Sequence, residues 1–319
     1  MDPWFHIFGL GIDPTIMLFG FGIGLLVGMT GMGGASLMTP LLILIFGIQP
    51  VTAIGTDIFY AAVTKTVGGY KHLKLGTVHK GMAFWLAVGS VPAALVGVWV
   101  IELLQSRYGD DLDTLVLGML GGTLVVVGVA TLLRSIFLAG VIQERSALHL
   151  YRRHIIAAVI TGATTGFVIG LTSAGSGTLI AIVLIAVFRL TPQRVVGTDV
   201  VHAAILLWAA GLAHWVGGNV DLGLAANILV GSIPGVLIGS QLAVKIPTGF
   251  LRNALGVVMI ASAIVLLVKE KVPTAVLIPS LRVAALVVVA LFTFQIGLHR
   301  QRMRQDEAKA LAAAAKAAG

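Results

Sequence analysis

The stretch "GMTGMGGASLMTP", Gly28 to Pro40, lies inside a run that is otherwise apolar from Leu18 to Phe46. Four glycines and a proline within it oppose a continuous helix, since each interior glycine costs about 1 kcal/mol and proline about 3 kcal/mol relative to alanine. A second breaker, "GLTSAGSGT" at Gly170 to Thr178, interrupts the apolar run from Ile155 to Phe188. Two breaks in two oily runs set the fold.

The surrounding composition says what solvent these breaks meet. The chain has 319 residues, of which 58% are hydrophobic and 11% charged, against about 25% charged in a soluble globular domain. Apolar runs of about 20 residues, the length that spans a bilayer core as helix, recur from end to end. We therefore expect an all-α polytopic membrane protein with one integral membrane domain over residues 1–298. The first hydrophobic segment is expected to be retained, because Met1 to Thr15 carries Asp2 and Asp13 but no Lys or Arg to form the basic start of a signal peptide. A net charge of +8 would point to nucleic acid in a soluble protein. Here the basic residues cluster in short connections between apolar runs, as topology signals do, and no nucleic-acid partner is expected. The absence of cysteine excludes disulfides, thiolate metal sites and thiol nucleophiles.

Shifting the sequence by 142 positions superimposes the two breaks, lays "GTDIFYAA" on "GTDVVHAA", and lays "VGSVPAALVG" on "VGSIPGVLIG". About 25 of 70 positions match without a gap between Gly28–Gly97 and Gly170–Gly239, which marks an internal duplication. The first copy covers about 16–139 and the second about 155–268, followed by an extra helix at about 283–298 and a basic, Ala-rich tail at 299–319.

Each broken run is either one interrupted crossing or a hairpin that returns to the side it entered from, and charge separates the two. With returning hairpins and the C-terminus inside, Lys71, Lys74, Lys80, Arg145, Arg152, Arg153, Arg189, Arg194, Lys245, Arg252 and five tail residues fall on the cytoplasmic side. Arg107, Lys269, Lys271 and Arg282 fall outside, a ratio of about 15 to 4; a crossing at the second break lowers it to about 10 to 9. The hairpins win. Each repeat then holds a re-entrant or broken helical hairpin plus three transmembrane helices, an odd number of crossings, so the two copies are inverted, with the N-terminus outside and the C-terminus cytoplasmic. Inverted repeats with broken helices meeting near the midplane are the architecture of secondary transporters. Non-helical backbone at membrane depth is tolerated where it is buried in protein or lines a cavity, so the two tips are the expected binding site.

The motifs "GMTGMGGASLMTPLLI", "QPVTAIGTDI" and the duplicated "GTDVVHAA" resemble the sulfite exporter TauE/SafE family of membrane transporters, over nearly the whole chain to about residue 268. The resemblance implies movement of small sulfur-containing anions, sulfite or organosulfonates, across the bacterial inner membrane. Asp57 and Asp199 stand where the family more commonly has serine.

Tips built of Gly, Ser and Thr turn backbone N–H groups, hydroxyls and helix N-termini toward a ligand, which suits an anion. Thr30, Gly31, Gly33, Gly34 and Ser36 in the first copy, and Thr172, Ser173, Gly175, Ser176 and Thr178 in the second, are the expected substrate contacts, together with Thr56 and Thr198 of the Gly-Thr-Asp motifs. Close helix packing is the competing use of such small residues. Asp57 and Asp199 lie in apolar helices, where a charged carboxylate costs several kcal/mol. They either couple transport to a proton or another cation, or orient the hairpin loops. Tyr60 shares a helix face with Asp57, and its counterpart His202 sits three residues after Asp199 as a relay candidate. Lys65 is either an anion partner or a snorkelling anchor; its counterpart is Leu207. His72 and His214 are expected to cap or hydrogen-bond at helix ends, Asn227 to bond between helices, and Pro92 and Pro234 to kink theirs.

The partners implied are a small anion, protons or another coupling cation, and the lipid bilayer, with room left for a homodimer. A cation or metal carrier using the paired acids is the alternative. An enzyme is not expected, because the polar groups come in duplicated pairs rather than in one asymmetric constellation, and neither a metal nor another cofactor is called for.

Overall fold

The computed structural model describes residues 5–7, 10–30, 35–109, 112–137, 150–175, 177–242 and 248–269. Two three-residue strands, β1 (Phe5–Ile7) and β2 (Leu10–Ile12), pair antiparallel ahead of ten helices. These are α1 (Pro14–Thr30), α2 (Ala35–Phe46), α3 (Pro50–Lys74), α4 (Lys80–Tyr108), α5 (Leu112–Phe137), α6 (Arg152–Thr172), α7 (Thr178–Ala186), α8 (Pro192–Val216), α9 (Leu222–Leu242) and α10 (Thr248–Lys269). Both breaks fall between helices: α1 ends at Thr30 before α2 begins at Ala35, and α6 ends at Thr172 before α7 begins at Thr178. Gly31, Gly33, Gly34 and Ser176, the helix expected at 283–298 and the tail at 299–319 lie outside the described residues.

Local chemistry sets the ends. Pro50 and Pro192 open α3 and α8, where a missing N–H removes no helical bond. The second break takes a backbone that only certain residues hold easily: Ser173 has φ 60°, Gly175 105° and Gly177 98°, the left-handed region in which glycine has no Cβ to clash. Pro92 and Pro234 sit inside α4 and α9, which continue through them.

Five described helices are long and apolar enough to cross a bilayer: Lys80–Tyr108, Leu112–Leu133, Arg152–Thr172, Gln193–Val216 and Leu222–Leu242. The polypeptide is thus an all-α polytopic membrane protein apart from the short strand pair. Its five do not reproduce the seven full spans plus two hairpins expected from charge. The 21-residue α6, expected as one hairpin arm, is among the five. Large apolar side chains such as Phe84, Trp99, Leu237 and Val257 face outward, as lipid-facing positions do.

Helix contacts are symmetric in the way a duplication requires. Under the 142-residue shift α1 corresponds to α6, α2 to α7, α3 to α8, α4 to α9 and α5 to α10. The main packed pairs are α1 with α9, α6 with α4, α3 with α8 and α5 with α10, so the first helix of each copy lies on the fourth of the other. Along α1, Gly20, Gly24 and Gly28 face Ile228, Ser232 and Val236; along α6, Gly162, Gly166 and Gly170 face Leu86, Ser90 and Ala94. Both pairs therefore run parallel. Gly211 on α8 faces Phe59 while Gly68 on α3 faces Val200, and Gly121 and Gly128 on α5 face Leu267 and Ile260, so α3/α8 and α5/α10 run antiparallel. A Cβ on Gly24 would lie 2.3 Å from the Ser232 carbonyl oxygen, and one on Gly166 would lie 2.3 Å from that of Ser90. Only glycine permits backbones that close. Between these pairs lies a core that includes Leu42, Ile54, Ile58, Leu120, Leu124 and Ile169, all fully buried.

Candidate functional site

The two Gly-Thr-Asp motifs, Gly55-Thr56-Asp57 near the start of α3 and Gly197-Thr198-Asp199 near the start of α8, divide their labour residue by residue. A Cβ on Gly55 would meet the carbonyl oxygen of Asn219, and one on Gly197 the carbonyl oxygen of Thr77 at 2.7 Å. Asn219 and Thr77 are equivalent positions in the loops before α9 and α4, so each glycine makes room for a loop of the other copy. The threonine ties that loop down. Thr56 Oγ1 accepts the Asp221 N–H at 3.0 Å, and Thr198 Oγ1 accepts the His79 N–H at 2.9 Å. These hydroxyls thus hold the starts of α9 and α4, since Asp221 and His79 in turn accept the N–H groups of Leu224 and Met82.

The aspartates face inward and differ. Asp57 is fully buried, and its Oδ2 accepts from Thr39 Oγ1 at 2.6 Å and from Ser173 Oγ at 2.7 Å. Thr39 belongs to α2 and Ser173 to the second break, so one carboxylate ties α2 to that break. Beside it Ser36 Oγ, at the start of α2, accepts the Gly175 N–H at 3.2 Å. Asp199 meets no hydroxyl among the described residues. Its Oδ2 pairs with Lys65 Nζ at 3.4 Å, and both side chains are buried. Its Oδ1, like Asp57 Oδ1, has no hydrogen-bond partner among the described residues. The repeat explains the contrast: Thr39 corresponds to Ala181, Ser173 to Gly31 and Lys65 to Leu207. Asp199 lacks both donors, and Lys65 supplies its partner instead.

Tyr60 and His202 occupy equivalent buried positions on α3 and α8. His202 Nε2 lies 2.8 Å from Ser90 Oγ on α4. Thr178, opening α7, takes a contact of 3.4 Å from Thr131 Oγ1 on α5, and Thr172 bonds back to the Val168 carbonyl.

The structure therefore brings Ser36, Asp57, Ser173 and Gly175 together where α2, α3 and the second break meet, and Lys65, Asp199 and His202 in a second cluster on α3 and α8. Thr56 and Thr198, beside the two aspartates on those helices, bond instead to the loops before α9 and α4. Thr39 and Ser90 were not singled out from sequence, although Thr39 lies within the first quoted stretch and Ser90 within the duplicated "GS-x-P". His214 Nε2 approaches the Gly170 carbonyl at 3.1 Å and His72 Nδ1 approaches Thr77 Oγ1 at 2.9 Å, the hydrogen-bonding roles expected. Asn227 holds the segment ahead of α1 rather than a neighbouring helix, accepting from the Asp13 N–H and donating to the Gly11 carbonyl. No group of three His, Asp or Glu side chains suited to a metal ion occurs among the described residues.

Two crossed-over helical repeats meeting at buried polar tips define a polytopic membrane protein of the transporter class. The model of the Sulfite exporter TauE/SafE family matches residues 16–266, and the chain belongs to that family, whose members are membrane transporters and not enzymes. It is 36% identical over 253 residues to the probable membrane transporter protein YjnA of Bacillus subtilis, covering 79% of this chain and 99% of the relative. It is 30% identical over 233 residues to the probable membrane transporter protein YdhB of the same organism, covering 73% of this chain and 91% of the relative. A shorter match, 36% identical over 86 residues, joins 27% of this chain to 19% of Sulfite exporter TauE/SafE family protein 2 of Arabidopsis thaliana. No solved structure matches the chain.

Proposed function

We propose that this protein is a secondary active transporter moving a small sulfur-containing anion, sulfite or an organosulfonate, across the bacterial inner membrane, coupled to protons. Two inverted repeats alternate, each a re-entrant hairpin followed by three spans: α1–α2 with α3, α4 and α5, and α6–α7 with α8, α9 and α10. The antiparallel courses of α3/α8 and α5/α10 support inversion. Support for returning hairpins comes from α1, which runs parallel to α9 and hence in the direction of α3, so that α2 between them runs back. The basic residues Lys71, Lys74 and Lys80 support a cytoplasmic α3–α4 connection.

The observation that carries this reading is the junction at Asp57, where α2 and the second break share one buried carboxylate. A solute crossing between repeats has to pass such a junction, and rearranging it exchanges which side is open. The hydroxyls and backbone N–H groups of Ser36, Ser173 and Gly175 suit an oxyanion once released from one another. Gly31, Gly33, Gly34, Thr30, Ser176, Thr172 and Thr178 complete the proposed cradle, and the sulfur chemistry rests on the family description. The oxygen-rich setting of Asp57 favours a cation carrier as the second reading. Proteoliposome flux of radiolabelled sulfite, methanesulfonate and sulfate, with and without a pH gradient, tests the proposal against sodium and divalent-metal uptake. Saturable anion flux stimulated by the gradient is expected; cation flux with no anion flux overturns it.

A further inference from the structure

The Lys65–Asp199 pair has a feature that a purely structural ion pair does not need. One ammonium faces one carboxylate oxygen at 3.4 Å, a loose contact, while the other oxygen, Asp199 Oδ1, is buried without a hydrogen-bond partner among the described residues. An ammonium has three donors, and one of them is spent among the described residues. One turn along α8, His202 is fully buried with Nε2 on Ser90 and Nδ1 without a partner among the described residues. Unused hydrogen-bonding capacity on three neighbouring buried groups is costly. A group that must change partners keeps such capacity.

Resting on the anion-transport reading, we infer that Lys65 and Asp199 form a counter-ion exchange site: the anion replaces Asp199 on the Lys65 ammonium, and Asp199 takes up one proton as it leaves. The charges balance. Before binding, Lys65 (+1) and Asp199 (−1) sum to zero; after it, Lys65 (+1), a monovalent anion (−1) and a neutral carboxylic acid again sum to zero. An anion entering without the proton would leave a net buried negative charge, whose desolvation costs several kcal/mol. One proton per monovalent anion is thus imposed by burial. The charged and titratable groups bearing on Asp199 are Lys65 on α3, His202 on its own helix, and His79, whose N–H bonds the adjacent Thr198 at the start of α4. His72 lies within reach of the Lys65 charge, and α7 brings no ionisable side chain. His202 is placed to pass the proton.

The asymmetry of the repeat supports an active pair. Leu207 replaces Lys65 in the second copy, and Asp57 is met by hydroxyls instead, so the two acids are not equivalent. The test uses full-length protein in liposomes with sulfite and methanesulfonate as probes, following anion flux by isotope and proton movement by a trapped pH dye. Wild type, Asp199→Asn and Lys65→Gln/Asp199→Asn are compared, with thermal melting recorded for each. Asp199→Asn is expected to carry anion without accompanying protons and with a flattened pH profile. The double variant is expected to melt within a few degrees of wild type yet lose about tenfold or more in flux, the scale of a lost charge-assisted contact. If the double variant keeps wild-type flux, or Asp199→Asn keeps wild-type proton stoichiometry, the pair is structural and this inference falls while the transport reading stands. A wild type inert to both anions overturns both.

Discussion

Asp57 and Asp199 occupy the same place in two copies of one motif, yet the first is held by two hydroxyls and the second by an ammonium. The backbone around them is nearly indifferent to the change. Gly55 and Gly197, and Thr56 and Thr198, do the same work in both copies. Duplication has fixed the scaffold while three exchanges, Thr39 for Ala181, Ser173 for Gly31 and Lys65 for Leu207, have separated the chemistry of the two acids. What the comparison teaches is that symmetric backbone closeness and asymmetric polar pairing are independent layers, and each can be attacked alone.

The largest effect is expected from Lys65→Gln, which strands Asp199 without its cation and costs about 3–5 kcal/mol. Thermal melting in detergent should fall sharply, and adding Asp199→Asn should restore most of it. Asp57→Asn, which keeps an oxygen for Thr39 and Ser173, should lose far less, and an equal loss at both acids would break the comparison. Next come Gly24→Val and Gly166→Val, which force carbonyls apart and cost about 1–3 kcal/mol or more. The two should match within error, read as the fraction of monodisperse protein and its melting point. Thr56→Val and Thr198→Val each remove the acceptor for one loop N–H and should cost about 1–2 kcal/mol apiece, again as a matched pair.

Repetition made the scaffold legible from sequence and distance hid its wiring. Gly-Thr-Asp could be recognised because it occurs twice in register, and the breaks because glycine and proline act on their own few residues. What each member of the motif touches could not be read, since the partner of Thr56 lies 165 residues away and Ser173, one of the two partners of Asp57, 116. Lys65 illustrates this well. Helical spacing placed it near Asp57 on α3, whereas its partner belongs to another helix with which only the fold brings it level. The glycines at four-residue spacing in α1 and α6 were in plain view, but with 40 glycines in the chain their alignment against a particular partner helix carried no local signal. Charge counting expects seven spans against five long apolar helices among the described residues, and the last of the seven, at 283–298, lies outside them.

Because α1 lies against α9 and α6 against α4, neither α1 nor α6 finds its main packing partner in its own half of the chain. The ribosome must add roughly 190 residues after Thr30 before Leu222 emerges, about 10–40 s at about 5–20 residues per second. Throughout that interval α1 waits in the membrane beside lipid or an insertion factor, with a glycine-lined groove and no helix to fill it. Biogenesis, more than the finished protein, should therefore be the stage at which this molecule is most easily lost. Coexpressing the two halves as separate chains should rescue what neither achieves alone.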